Sequence, residues 1–223
     1  MRWLKFFFSG VLTLALLGLL LFPVGSTPPL GPLLNPFSGF WQNGVPPTET
    51  RPATLDLPGL QAPVTVLYDE RDVPHIFANN DHDLYYAQGY VVAQDRLWQM
   101  EFQVRAAAGR LAEVVGAGPD SVILNRDRRM RRLGMVYGAE RSLAEMMEDP
   151  LSRLALEAYA EGINAYLAQL DEASLPLEYK LLNYRPEPWT PLHTAIFLKN
   201  MSLTLAGSVN DLEETQALAY WGK

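Results

Sequence analysis

Cysteine is absent from the 223 residues, only three histidines occur, and 18 Lys plus Arg stand against 25 Asp plus Glu. Without cysteine there is no disulfide, no thiol nucleophile and no thiolate metal ligand, so stability must come from packing or a bound metal. That absence does not decide the compartment. His75, His82 and His193 show none of the HExxH spacing of zinc hydrolases, and the chain holds neither a Gly-rich phosphate loop nor a Gly-x-Ser-x-Gly elbow. Zinc hydrolase, kinase and α/β-hydrolase are therefore unsupported. The formal net charge of −7 argues against a polyanion-binding surface, and nucleic acid is not an expected partner.

With 48% hydrophobic and 11% aromatic content, the chain has the ingredients for a core of one or two domains. Arg2 and Lys5 form a basic leader, and Phe6 to Phe22 follows without a charge. This is an export signal or a membrane anchor occupying residues 1–25. The apolar run is at the short end of what spans a bilayer. No clear Ala-x-Ala site follows, although Val24-Gly25-Ser26 keeps cleavage open. The reading preferred is an uncleaved anchor with its basic end inside and the body on the periplasmic or extracellular side, the alternative being a secreted protein. Beyond the leader, 16 basic residues remain against 25 acidic ones.

Residues 26–63 are rich in Pro and Gly, which oppose helix and central strand, and read as a tether. Its patch Pro36-Phe-Ser-Gly-Phe-Trp41 suits a bilayer surface or packs on the body. Val64, Val66 and Tyr68 alternate with Thr65 and Leu67, Asp69 to Pro74 turns the chain, and His75 to Ala78 resumes it, which predicts a β-hairpin. Asn80 or Asp81 caps a long helix running to about Gly109, apolar on much of its circumference and hence mostly buried. Asp95 and Arg96, adjacent in its middle, are expected to be structural anchors, because burying unpaired charge is costly. His75, His82 and His193 read as structural residues.

Five arginines between Arg126 and Arg132 surround Asp127; a solvated helix face with local ion pairs is favoured over an anion site. A short helix is expected after Gly138, then one entered at Asp149-Pro150, in which Leu156, Tyr159, Ile163, Tyr166 and Leu170 repeat at helical spacing. Residues 175–188 read as a linker. Thr190-Pro191 starts another helix, ending near Gly207, and Asp211 leads into a last one.

The run Val64-Thr-Val-Leu-Tyr-Asp-Glu-Arg-Asp-Val-Pro-His75-Ile-Phe-Ala78 followed by Tyr85-Tyr-Ala-Gln-Gly-Tyr-Val-Val-Ala-Gln-Asp-Arg-Leu-Trp-Gln-Met100-Glu101 resembles the opening of the penicillin acylase family. Ala106-Ala-Ala-Gly-Arg-Leu-Ala-Glu-Val-Val-Gly116 is similar to its Gly-x-x-Ala-Glu-x-x-Gly segment. Tyr159-Ala-Glu-Gly-Ile-Asn-Ala-Tyr166 resembles its Tyr-Ala-Glu-Gly-Ile-Asn helix, and Trp189-Thr-Pro its Trp-x-Pro helix start. These matches keep the family's order over residues 64–223.

The resemblance implies an N-terminal nucleophile hydrolase of α+β class with a four-layer αββα fold, of which this chain supplies a hairpin and a mainly helical lobe. Family members are precursors that cut themselves into a small first subunit and a large second one beginning with the catalytic serine. This chain resembles the first subunit, an incomplete domain that is inactive without its Ser-bearing partner; it supplies no catalytic residue. A junction at Gly207-Ser208 is rejected, because Val209-Asn210-Asp211 lacks the Asn-x-Trp that commonly follows the nucleophile. By position, Asp211 falls on a calcium-binding carboxylate, with a helix N-cap as its competing reading. Met201, Thr204 and Leu205 fall on acyl-pocket positions where the family has Met, Arg and Phe, with core packing the alternative for Met201 and Leu205. The Arg and Phe replacements disfavour a penicillin G side chain. His193 stands where an Asp is usual. The implied activity is hydrolysis of the amide in an N-acyl compound, whether β-lactam, acyl-homoserine lactone or related acyl amide, with no organic cofactor. The competing reading is a membrane-anchored helical binding module.

Overall fold

The computed structural model describes residues 2–25, 27–44, 54–55, 57–206 and 211–222. Helix α1, Arg2–Leu21, begins at the basic leader and buries no residue, and a short helix α2, Leu30–Leu34, comes next. Three antiparallel strands follow, β1 (Thr54–Leu55), β2 (Val64–Tyr68) and β3 (Pro74–Phe77), in the order β1-β2-β3. The expected hairpin is β2-β3, with Val66 opposite Ile76. Pro74 opens β3 rather than closing the turn, a place where its missing N–H costs no central ladder bond. Asp69 makes the turn by accepting from the backbone N–H groups of Arg71 and Val73, both at 2.9 Å. Strand β1 lies in the stretch read as a tether.

Helix α3, Asp81–Ala108, is the spine of the molecule. Asn80 caps it by accepting from the Asp83 N–H at 2.8 Å, and Gly109 ends it in the left-handed region at φ 68°. Its backbone leaves helical geometry at Arg96 (φ −142°, ψ 22°), so two helical segments meet there. Asp95 and Arg96 are exposed at this break. Their expected burial is thus corrected: both reach solvent, where charge carries no burial penalty, and Arg96 donates to Gln99 at 3.2 Å.

The helices α4 (Ala112–Val115), α5 (Val122–Arg132), α6 (Met135–Met146), α7 (Pro150–Gln169), α8 (Leu177–Leu182), α9 (Pro191–Ala206) and α10 (Asp211–Trp221) complete the chain. Helix α8 interrupts the span read as a linker, and α6 starts three residues before Gly138. The expected end of α9 at Gly207 lies outside the described residues. Arg126 and Arg131 donate to the carbonyls of Ala106 (3.0 Å) and Gly109 (2.8 Å), tying α5 to the end of α3 rather than forming an anion patch.

One core joins α3, α6, α7, α8 and α9 through Leu97, Val104, Ala139, Ile163, Tyr179 and Ile196, with Trp189 beside them; a smaller one puts Val64 and Val66 of β2 against Ala87 and Val91 of α3. Where α3 crosses α7, a Cβ built on Gly89 would lie 2.1 Å from the Tyr159 carbonyl oxygen, and one on Gly162 only 1.9 Å from that of Tyr86. Two glycines, one on each helix, let the backbones touch. Among the described residues five charged ones are buried: Asp83, Glu101, Arg105, Asp127 and Lys180. Asp83 is wholly inaccessible and accepts from the N–H groups of Gln61 and Ala62, each at 2.9 Å, which fixes the loop before β2 onto α3. Burial pushes its carboxyl upward, but bonds from Gln61, His82, Asn80 and Ala62 outweigh that and hold it below its ordinary value.

Candidate functional site

The second half of α3 faces α7 on one side and α9 on another, and two cavities flank it. Trp189, in the residues just before α9, lines both. Its position is set by Asn164 of α7, whose side-chain amide donates to the Trp189 carbonyl and accepts from the Trp189 N–H, both at 2.8 Å. The indole N–H then donates to the Thr194 hydroxyl at 2.9 Å. Two of the motifs singled out in the sequence, Tyr-Ala-Glu-Gly-Ile-Asn and Trp-x-Pro, are thus the two halves of one joint.

The first cavity, about 170 Å³, is walled by Val104, Leu192 and Ile196 and by the charged set Glu101, Arg105, Arg110 and Glu187. Buried Arg105 donates to Glu101, to Glu113 (3.2 Å) and to Glu187 (2.9 Å). Arg110 also donates to Glu187, at 2.8 and 3.0 Å, and to Glu113 at 3.0 and 3.1 Å. Tyr184 donates its hydroxyl hydrogen to Glu101 at 2.7 Å while Arg105 lies over its ring. Hydrogen bonds from Arg110, together with the charges of both arginines, outweigh burial and hold the Glu187 carboxyl down at about 2. Burial alone would lower the Arg105 pKa, but Glu101 and Glu187 reverse this and raise it. The two arginines with Glu113 and Glu187 are each shifted towards the charged form, which suits a scaffold rather than a proton shuttle. The sequence signal for it was Glu101 and Arg105 four apart on an otherwise apolar helix.

His193 borders this cavity. Its Nδ1 accepts from the Thr190 N–H at 2.9 Å, so it serves at the third helical position as the acceptor that a carboxylate provides in a capping box. Burial holds its pKa below the ordinary value, which keeps Nδ1 free to accept. This gives His193 a structural role at the start of α9.

The second cavity is an apolar groove of about 260 Å³ between α3, α7 and α9, with Val92, Met100, Tyr159, Trp189 and Phe197 as walls and Arg96, Gln99 and Gln103 at its edge. Met201, Thr204 and Leu205 do not line it. They sit beyond it on the last turns of α9, at spacings of three and four that share one face, and all three are exposed, Leu205 at 78%. Core packing therefore does not account for Met201 or Leu205 among the described residues. Asp211 is the exposed first residue of α10 and is not brought together with them by any described contact. Calcium takes six to eight oxygen ligands. Among the described residues no three His, Asp or Glu converge, so Asp211 would supply one ligand and the residues present do not by themselves fit the ion.

Residues 63–221 match the family model described as penicillin amidase. The penicillin acylase 2 proenzyme of Pseudomonas sp. (strain SE83) is 42% identical over 75% of this chain and 20% of its own length. Penicillin G acylase of Escherichia coli is 33% identical over 70% of this chain and 18% of its own length. The acyl-homoserine lactone acylase QuiP of Pseudomonas putida is 35% identical over 81% of this chain and 21% of its own. The chain thus spans about a fifth of the length of these curated relatives. Among solved structures, a thermostable penicillin G acylase from Alcaligenes faecalis superposes with a TM-score of 0.61 at 33% identity, covering 71% of this chain and 84% of that one. The match takes in the β2-β3 hairpin, the glycine crossing, the Asn164–Trp189 joint and the last two helices, α9 and α10, and on it the chain belongs to the penicillin amidase family.

Proposed function

We propose that this chain is the first-subunit portion of an amidohydrolase that cleaves the amide bond of N-acyl compounds, a β-lactam, an acyl-homoserine lactone or a related acyl amide. The observation that carries the reading is the family match through residues 63–221, with penicillin acylases and acyl-homoserine lactone acylases among the relatives. The nucleophile is the serine that begins a large second subunit of the same precursor, within an αββα fold. Its α-amino group, with an ordinary pKa of about 7.7 to 8, takes the hydroxyl proton as oxygen attacks the amide carbon. That proton passes to the departing amine, and water then hydrolyses the acyl ester.

In this reading α3 and α7 form the rigid wall behind the substrate with α9 facing them, and Met201, Thr204 and Leu205 contact the acyl group once the large subunit covers the end of α9. Thr204 in place of a cation and Leu205 in place of an aromatic ring suit an aliphatic acyl chain. Asp211 contributes one carboxylate to a calcium site whose other oxygens come from outside the described residues. Helix α1 anchors the protein, with the body on the periplasmic or extracellular side; its 20 residues, none of them buried, are long and apolar enough to cross a bilayer.

Expression of the whole open reading frame tests the proposal. The product should split into two polypeptides by mass spectrometry and hydrolyse N-acyl homoserine lactones or chromogenic N-acyl amides, with Ser→Ala at the new N-terminus abolishing both. Thr204→Arg with Leu205→Phe should shift preference from aliphatic towards aromatic acyl groups. A full-length product that is neither processed nor active on any acyl amide sinks the reading.

A further inference from the structure

The stretch after α1, which composition marks as a loose tether, is built into the body through a buried lysine. Lys180 of α8 is 5% exposed, and its ammonium donates to the Gly39 carbonyl (3.1 Å), the Asn43 side-chain oxygen (2.7 Å) and the Glu172 carbonyl. Asn43 returns two bonds, to the carbonyls of Ala173 (3.2 Å) and Leu175 (2.9 Å). All three ammonium protons are thus used, as a buried cation requires. The loop is also closed on itself: Gln42 donates to the Pro36 carbonyl at 2.8 Å, and the Phe37 N–H to the Asn35 side chain at 2.8 Å.

At its other end the same stretch touches the hydrophobic helix. Val24 and Thr27 exchange backbone hydrogen bonds of 3.0 Å, reversing the chain. Helix α2 (Leu30–Leu34) then packs back on the last turn of α1, where a Cβ on Gly31 would lie 2.6 Å from the Leu20 carbonyl oxygen. Twenty residues of helix rise about 30 Å, the thickness of a bilayer's hydrocarbon core. With α1 spanning, α2 and the loop after it fall at the level where hydrocarbon gives way to headgroups. The large side chains this knot leaves exposed are Leu34 (42%), Phe37 (83%) and Trp41 (57%), the types that favour that interface.

We propose that residues 30–44 form a membrane-interface platform, rigidly mounted on the body by Lys180 and Asn43, which seats Leu34, Phe37 and Trp41 in the bilayer surface and fixes the orientation of the enzyme above it. The partner is lipid, recognised by apolar insertion: an acidic body gains nothing from anionic headgroups, so zwitterionic lipid suffices. The inference rests on α1 acting as an anchor.

This chain holds no cysteine, so single-site labelling requires only that any cysteine in the rest of the precursor be replaced by serine. Full-length protein carrying Phe37→Cys with an environment-sensitive fluorophore is reconstituted in phosphatidylcholine vesicles containing a nitroxide lipid, beside Tyr137→Cys, an exposed position on α6. The label at 37 should shift to the blue and lose emission to the nitroxide, while that at 137 keeps the emission of a label in water. Asn43→Ala, and more strongly Lys180→Met, should lower the anisotropy of the label at 37. An unquenched label at 37, equal quenching at both positions, or anisotropy indifferent to both joint variants overturns the platform. Release of the protein by alkaline carbonate would instead overturn the anchor, and the platform with it.

Discussion

Gly162→Ala is the substitution whose sign separates a touching helix crossing from a loose one. On helix propensity alone, replacing a mid-helix glycine by alanine stabilises by about 1 kcal/mol. At Gly162 the added Cβ would stand 1.9 Å from the Tyr86 carbonyl oxygen and 3.0 Å from the Tyr90 nitrogen, below or at a separation that real Cβ atoms essentially never breach. Both neighbours are backbone, so no side chain can swing away; α7 must lift off α3, opening the core around Ile163 and Tyr90. Overpacking of this kind costs about 1–3 kcal/mol and sometimes more, and here the upper end applies because the obstacle is a helix. Net of the propensity gain, about 2 kcal/mol at about 2–4 °C per kcal/mol for a domain of this size lowers the melting temperature by roughly 4–8 °C. Gly138→Ala on α6 is the matched control, since its Cβ would meet only the Lys199 side chain at 3.8 Å, and it should raise the melting temperature slightly. Thermal melts of the full-length protein decide the matter. A Gly162→Ala protein as stable as the parent, or more so, would refute the close crossing.

Asn164→Ala removes both bonds to the Trp189 backbone and should cost about 2 kcal/mol by thermal melt, at about 1 kcal/mol for each bond; Asn164→Asp, which loses only the donor, should fall between. Because burial holds the His193 pKa below its ordinary value near 6.5, the unfolded chain binds that proton more readily, and stability should fall as pH drops through about 6.5 and below. His193→Glu keeps an acceptor at the same helical position and should remove that dependence from pH-dependent melts. The Glu187 carboxyl, held at about 2 against an ordinary 4.5, contributes stability that is complete above 4.5 and lost as pH falls towards 2. Glu187→Gln should flatten acid denaturation across that window.

The hairpin, the capped start of α3, the Asp149-Pro150 entry to α7 and the Thr190-Pro191 entry to α9 were all legible in sequence, because period-two alternation and cap-then-proline signals are local. The buried charges were not. Asp95 and Arg96 looked buried because the apolar repeat runs through them, yet the backbone breaks at Arg96 and leaves both in water. Glu101 and Arg105 stand four apart on α3, but Glu187, which completes their network, lies 86 positions beyond Glu101, and no local pattern joins it to them. Residues 30–44 were misjudged for a related reason. Proline and glycine counts describe what a segment cannot do alone, whereas its order comes from Lys180, far along the chain. For the candidate site, family motifs located the end of α9, but the apolar groove upstream of it depends on Tyr159, Trp189 and Phe197 meeting in space.

Contact of α3 and α7 at backbone level makes the groove a vice with unequal jaws. One jaw, built from two helices with nothing but hydrogens between their main chains, has no room to travel. The other, α9, is held at its start by the single amide of Asn164 and otherwise by side chains, so any change in the groove's width must come from that side. Variation at Phe197 should therefore retune what fits while leaving the fold standing, whereas variation at Gly89 should unmake the wall before it alters the fit.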